Sequence, residues 1–153
     1  MIAVLQRVKR AAVSVEGNVV GECKEGLCIL LGVAKGDGEE DARALAEKTV
    51  NLRIFSDENS KMNLSLKDID GEALIVSNFT LLASYKKGKR PDYFAAALPD
   101  DANRLYEYFC SLVEGEIKHT GRGIFGADME IEMVNNGPVT IVMDSNVLLK
   151  KSV

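Results

Sequence analysis

Histidine is almost absent from this chain: His119 is the only one. A single imidazole rules out a zinc site built on two histidines and any mechanism that passes a proton between two of them. Cysteine is scarce and odd in number, with Cys23, Cys28 and Cys110 in apolar or mixed surroundings. Cys23 and Cys28 lie five positions apart, and no second pair or histidine cluster completes a metal site. Reduced, partly buried thiols are expected, with no metal and no cofactor. The chain also lacks the GxSxG elbow of serine hydrolases and the Gly-Lys-Ser/Thr of a phosphate loop. No apolar run approaches the roughly 18 residues that cross a bilayer. In the opening MIAVLQRVKRAAVSV the charges follow the apolar stretch, unlike a signal peptide. These absences lead us to expect a cytosolic protein without a membrane partner.

What is present is ordinary for one globular domain: 153 residues, 46% hydrophobic and 27% charged, with no repeat and no low-complexity segment. A net charge of −4 gives the whole molecule no broad attraction to nucleic acid. The charge is uneven, however. Residues 37–41, DGEED, are acidic, whereas KKGKR at 86–90 puts four cations into five positions. That run is either a solvated loop or a local phosphate-binding strip.

Periodicity gives a coarse layout. IAVLQRV suggests a central strand, apolar on both faces at first, with Arg7 following Ala3 and Leu5 on one side. If that side is buried, the guanidinium needs carbonyl or carboxylate partners. AAVSVEGNVVGE reads as a hairpin turning at Gly17-Asn18. LCILLGVA at 27–34 reads as a strand covered on both faces. From Asp37 to Leu52 the period becomes helical, with Ala42, Leu45, Ala46 and Val50 on one face and acids in the first turn. RIFSDENSKMNLSLKDIDG is polar and turn-rich, with room for a short strand at its start. EALIVSNFTLLA at 72–83 returns to strand composition. Pro91-Asp92 opens a short helix through YFAAAL, and Pro99-Asp100 opens a clearer one that Gly115 stops. MEIEMV alternates cleanly, PVTIVMD completes the last strand, and residues 146–153 form a loosely held tail. About seven strands and two or three helices without a βαβ rhythm predict an α+β fold. In it, helices pack on a largely antiparallel or mixed sheet within a single domain over residues 1–153.

Two places break their own pattern. Ser77, Asn78 and Thr80 insert polar groups into a core-like strand, and each needs a hydrogen-bond partner. In a regular strand Ser77 and Thr80 point to opposite faces, so both line one site only if the backbone bends there. Otherwise a backbone amide acts. The second place is NNGPVT at 135–140, where a Gly-Pro turn dipeptide interrupts strand-like sequence. TGRGIFGADM at 120–129 adds a glycine-rich turn carrying Phe125, either against a flat ligand or as a plain loop over the core.

SNFTL at 77–81, KGKRPDYFAAA at 87–97, GIFGADM at 123–129 and NNGPVTI at 135–141 together resemble the signatures of the D-aminoacyl-tRNA deacylases. The likeness runs through nearly the whole chain in the same order. One departure is Asn78, where the family usually has Gln; the amide is kept and its reach shortened. The resemblance implies a homodimer with active sites at the interface and hydrolysis of the ester joining a D-amino acid to the terminal adenosine of tRNA. Glycyl-tRNA mischarged on tRNA-Ala is a further substrate it allows, because glycine partly escapes a filter for handedness. It implies a cis Gly137-Pro138 bond whose carbonyls reach into the partner's pocket, hold the substrate's amino group and leave no room for an L side chain. Proline lowers the cost of cis to about 0.5–1 kcal/mol, and main-chain atoms cannot swing aside to admit the wrong enantiomer.

The same resemblance makes Ser77, Asn78, Phe79 and Thr80 the catalytic segment, with amides around Phe79 and Thr80 as the oxyanion hole. Arg7 braces the Gly-Pro carbonyls, Phe79 or Phe125 packs near the adenine, and Met129 lies with the substrate. Lys86, Lys87, Lys89 and Arg90 meet tRNA phosphates. Two mechanisms stand open: attack by Thr80, or attack by water assisted by the 2′-hydroxyl of the terminal ribose. The second is preferred, since no base neighbours Thr80 in sequence. A non-catalytic tRNA-binding module is the alternative to an enzyme.

Overall fold

The computed structural model describes residues 1–151. Its first strand, β1 (Ile2–Val15), runs through both the expected opening strand and the first arm of the hairpin. A turn at Glu16 and Gly17, with φ of 50° and 80°, leads into β2 (Asn18–Cys23). The turn therefore sits one residue earlier than the Gly17-Asn18 predicted from sequence. A tight hairpin needs two consecutive positive φ values. Glu16 accepts one of them, and the Asn18 side-chain amide donates to the Glu16 carbonyl at 3.3 Å.

β3 (Gly26–Gly32) lies antiparallel to the first half of β1 and parallel to β6 (Glu72–Ser77), which pairs in parallel with β7 (Thr120–Arg122). Almost every residue of β3 is buried, as its unbroken apolar run requires. β8 (Glu130–Asp144) pairs antiparallel along nearly all of β1. The small ribbon of β4 (Phe55–Ser56) and β5 (Met62–Leu64) stands apart from this sheet. β2 and β7 close the curl: a Cβ on Gly21 would strike the backbone of Arg122, and one on Gly121 would strike that of Glu22. Only glycine lets the two backbones come so close.

Two apolar clusters follow. On one face, α1 (Glu39–Asn51) and α2 (Pro99–Glu114) pack Leu45, Val50, Leu105 and Phe109 against Leu5, Ile29 and Ile75. Inside the curl lie Val8, Ala11, Val13, Cys28, Leu74 and Val76. Val8 and Ala11 differ in parity yet share this cluster. Between Val8 and Arg10, β1 advances two residues while β8 advances one, so Lys9 is a bulge that exchanges the strand's faces.

Three further expectations change. The strand expected over 72–83 stops at Ser77 and gives way to a 3-10 turn, Phe79–Leu82. No helix forms after Pro91. Lys35 N–H instead donates to the Ala95 carbonyl and Ala97 N–H to the Val33 carbonyl, both at 2.9 Å, so pairing to the end of β3 overrides the helix propensity of the alanines. The segment expected to be a loose tail is anchored as far as it is described. α3 (Ser145–Leu148) is capped by the Asp144 side chain, and Ser145 is buried. Ser145 Oγ donates to Asp41 at 2.6 Å, and Lys151 Nζ reaches both Asp41 oxygens at 2.8 Å. The last two residues of that segment lie outside the described ones. The mixed sheet with its helices is the α+β class that the strand and helix count predicts.

Candidate active site

The parallel pair β3 and β6 ends beneath a cleft. The last rung is Asn78 N–H to the Leu31 carbonyl at 2.8 Å. There the apolar run of β6 gives out, Asn78 takes φ −149° and ψ 89°, and the chain winds into the 3-10 turn. Within that turn Leu81 N–H donates to Asn78 O and Ala83 N–H to Thr80 O. Phe79 and Thr80 occupy its first two positions, where a helical turn offers no internal acceptor. Among the described residues their N–H groups have no protein acceptor.

A cleft of about 810 Å³ opens beside this break. Ser77, Asn78 and Phe79 form one wall, with Phe125 and Met129 among the other lining residues. Phe125 lies against Tyr106, ring centroids 6.2 Å apart. Gly123 makes room for Met129, because a Cβ there would lie 2.7 Å from the methionine sulfur. The Tyr106 hydroxyl donates to the Ile75 carbonyl at 2.8 Å, and burial holds the phenol protonated far above the ordinary tyrosine range. The edge of Phe79 meets Tyr93 at 5.1 Å.

Thr80 does not line the cleft. Its hydroxyl donates to the side-chain oxygen of Asn78, an amide oxygen that is no proton acceptor for an attacking hydroxyl. His119 is elsewhere, its Nε2 2.8 Å from the Glu22 carbonyl. The thiols are inert as nucleophiles: burial pushes Cys23 and Cys110 up to about 12 and Cys28 up to about 11. Among the described residues, then, no imidazole or thiolate stands next to the cleft's backbone donors.

Arg7, Gly137 and Pro138 form a second group. Along β1, Gln6 pairs with Thr140 and Val8 with Asn135, so residues 136–139 bulge out opposite Arg7 alone. Arg7 Nε donates to the Asn136 carbonyl at 2.9 Å and Nη1 to the Ile54 carbonyl at 2.8 Å, the kind of partners its half-buried position demands. Gly137 has φ +135°, and its bond to Pro138 is cis. A Cβ on Gly137 would lie 2.8 Å from the Val139 nitrogen and 3.1 Å from the Arg7 guanidinium. Both residues of the dipeptide are exposed, and neither lines the cleft. Within one chain the structure thus gathers residues 77–79 with Phe125 and Met129, and keeps Arg7, Gly137 and Pro138 apart from them.

Lys86, Lys87, Lys89 and Arg90 are exposed and make no ion pair among the described residues. Sequence reasoning missed Tyr93, Phe94, Tyr106 and Lys35, which also line the cleft. Tyr106 sits on the buried face of α2 with Ala102 and Phe109 and so reads as core, and the other three come from segments whose pairing sequence does not show.

A largely apolar cleft with a few convergent backbone donors has the form of a small-ligand or catalytic pocket. Comparison with known proteins makes the class specific. A family model described as D-Tyr-tRNA(Tyr) deacylase matches residues 4–144, and the chain belongs to that family. A D-aminoacyl-tRNA deacylase of Caldicellulosiruptor saccharolyticus is 61% identical over 145 residues, covering 95% of this chain and 97% of that protein. One from Thermosipho africanus is 54% identical with the same coverage. Among solved structures, a c-Myc DNA unwinding element binding protein matches with a TM-score of 0.88 and 36% identity, over 94% of this chain and 98% of its own. A probable eukaryotic D-amino acid tRNA deacylase, at 17% identity and a TM-score of 0.76 over 93% of this chain and 97% of its own, shares the fold.

Proposed function

We propose that the protein hydrolyses the ester between a D-amino acid and the terminal adenosine of tRNA, releasing the free amino acid and a tRNA with its 3′-hydroxyl restored. The observation that carries this reading is the break after β6, which leaves the amide of Phe79, a cleft residue, and that of Thr80, next to it in the turn, without acceptors. Such donors suit the oxyanion that forms when water adds to an ester carbonyl, and they need no reorganisation as charge develops. Water supplies the new C–O bond, the ester C–O bond breaks, and the ribose oxygen leaves with a proton. The bond from Thr80 Oγ1 to an amide oxygen favours water as nucleophile, assisted by the substrate's own 2′-hydroxyl.

Handedness is judged, on this reading, by the exposed Gly137-Pro138 dipeptide of a second subunit. Arg7 holds the Asn136 carbonyl at its base. In one chain the dipeptide does not line the cleft, so the two groups serve one substrate only across two chains. Among the described residues β8 pairs on one side only, with β1, and the other edge of this 15-residue strand invites a partner. Glycyl-tRNA is expected to be cleaved too, since glycine carries no side chain to reject. No described helix is long and apolar enough to cross a membrane, and the site of action is the cytoplasm, where charged tRNA is used.

Incubation with D-tyrosyl-tRNA, L-tyrosyl-tRNA and glycyl-tRNA tests the function. Release of D-tyrosine with the L-ester intact is expected. Retention of all three esters, with tRNA bound, would make the protein the non-catalytic binding module instead.

A further inference from the structure

We infer that the loop between Ser84 and Asp92 is a stacking finger for the unpaired bases preceding the esterified adenosine; this rests on the deacylase reading above. Ser84 and Asp92 clamp its base by reciprocal backbone hydrogen bonds of 2.8 and 2.9 Å. The loop turns through Gly88 at φ +67°, in open space. Two aromatic rings beside the clamp are left uncovered by the fold: Tyr85, the first residue inside it, is 84% exposed, and Phe94, two residues beyond it, is 79% exposed. Neither belongs to the apolar clusters.

The finger's position ties it to the cleft. Tyr93, next to the clamp, meets Phe79 edge-on, and Phe94 lines the cleft itself. Tyr85 does not line it and lies just inside the clamp on the other leg. Between the legs come Lys86, Lys87, Lys89 and Arg90, with no ion-pair partner among the described residues. Rings flanking a run of cations match the chemistry of a single RNA strand, whose bases stack on rings while its phosphates meet the cations. A protein partner would call for an apolar patch with charge depleted at its centre, and this loop has four cations at its tip. The strand runs outward from the cleft across Phe94 and then Tyr85, so Tyr85 meets a base that is not the terminal one.

Three substrates test this: D-tyrosyl-tRNA, a D-tyrosylated RNA trimer and D-tyrosyl-adenosine. Tyr85→Ala is expected to raise KM about tenfold for the tRNA and the trimer, and to leave D-tyrosyl-adenosine unchanged. Tyr85→Phe keeps the ring and restores the wild-type KM. An unchanged KM for every substrate, or an equal rise for all three, overturns the finger while leaving the deacylase reading intact. If the unaltered protein cleaves none of the three, the deacylase reading fails and the finger with it.

Discussion

The chain has two concentrations of polar groups set into apolar surroundings, and they differ in how completely they are paired. Around Asp41 the carboxylate accepts from Ser145, from Lys151 and from the Gly38 amide, while the Met1 amine bonds Ser145 and Asp37. Around residues 77–80, one side-chain bond links Thr80 to Asn78 and two neighbouring amides have no acceptor. The first cluster spends its hydrogen-bonding capacity on the chain, joining α1, α3 and the start of β1. The second keeps part of its capacity for something else. Asp41 and Ser145 are buried and must be paired within the chain, whereas Phe79 and Thr80 are exposed, so their free amides are open to water or to a ligand at the cleft.

Substitutions can break that contrast. Asp41→Ala should have the largest effect, on stability alone. It strips Lys151, Ser145 and the Gly38 amide of their shared acceptor, and loss of one partner of such a pair costs about 3 kcal/mol. Chemical denaturation should show that loss, with activity per folded molecule unchanged. The same cluster sets an acid limit. Burial works to raise the Asp41 pKa, but the bonds from Lys151, Ser145 and Gly38 outweigh it and hold the carboxyl at about 2 against an ordinary 3.8. A lowered folded-state value means that its stabilisation is complete above about 3.8 and is lost as pH falls through about 2. The melting temperature should drop over that window in the unaltered protein, and much less so in Asp41→Asn.

Next in size comes Gly137→Ala. A methyl group there meets the Val139 nitrogen and the Arg7 guanidinium at a φ that only glycine takes easily. Displacing reacting or selecting groups by about 1 Å costs on the order of a hundredfold in rate, so cleavage of D-tyrosyl-tRNA should fall by about that factor. The dipeptide is exposed, so stability should change far less than in Asp41→Ala; an equal loss of stability would assign the bulge to architecture. Smallest of all is Thr80→Ala. With water as nucleophile, turnover stays within about threefold of wild type, whereas deleting a true nucleophile costs about a millionfold. Near-total loss in a folded Thr80→Ala protein would put the threonine nucleophile back in place of water.

The elements with strong periodicity were legible in sequence. α1, α2, β3 and the alternation before Asn135 are where the pattern puts them, because burial of one face dictates each. What sequence hid depends on contacts between distant segments. The short helix expected after Pro91 is replaced by bonding to the end of β3, and the tail is pinned by Asp41, about a hundred residues away in sequence. The polar residues at 77–80 announced an irregularity, but the way strand pairing stops and a tight turn begins, leaving two amides bare, is visible only in the structure. Arg7 was readable in part: a cation following two core positions demanded carbonyl partners, and it has two, but they belong to Asn136 and Ile54 and not to Gly137 or Pro138 as expected. That the Gly-Pro bulge and the cleft occupy separate places in one chain had no signal in periodicity or composition; only the family resemblance implied it.

The separation itself can be tested most directly by mixing two inactive proteins. One carries Gly137→Ala, with its cleft intact; the other carries Ala127→Trp, which fills the cleft and keeps the dipeptide. If each site draws its cleft from one subunit and its Gly137-Pro138 from the other, random re-pairing restores one working site in half of the dimers. About a quarter of wild-type activity on D-tyrosyl-tRNA should then return. Activity no greater than the sum of the two separate proteins, with re-pairing shown to have occurred, would contradict a site shared between chains.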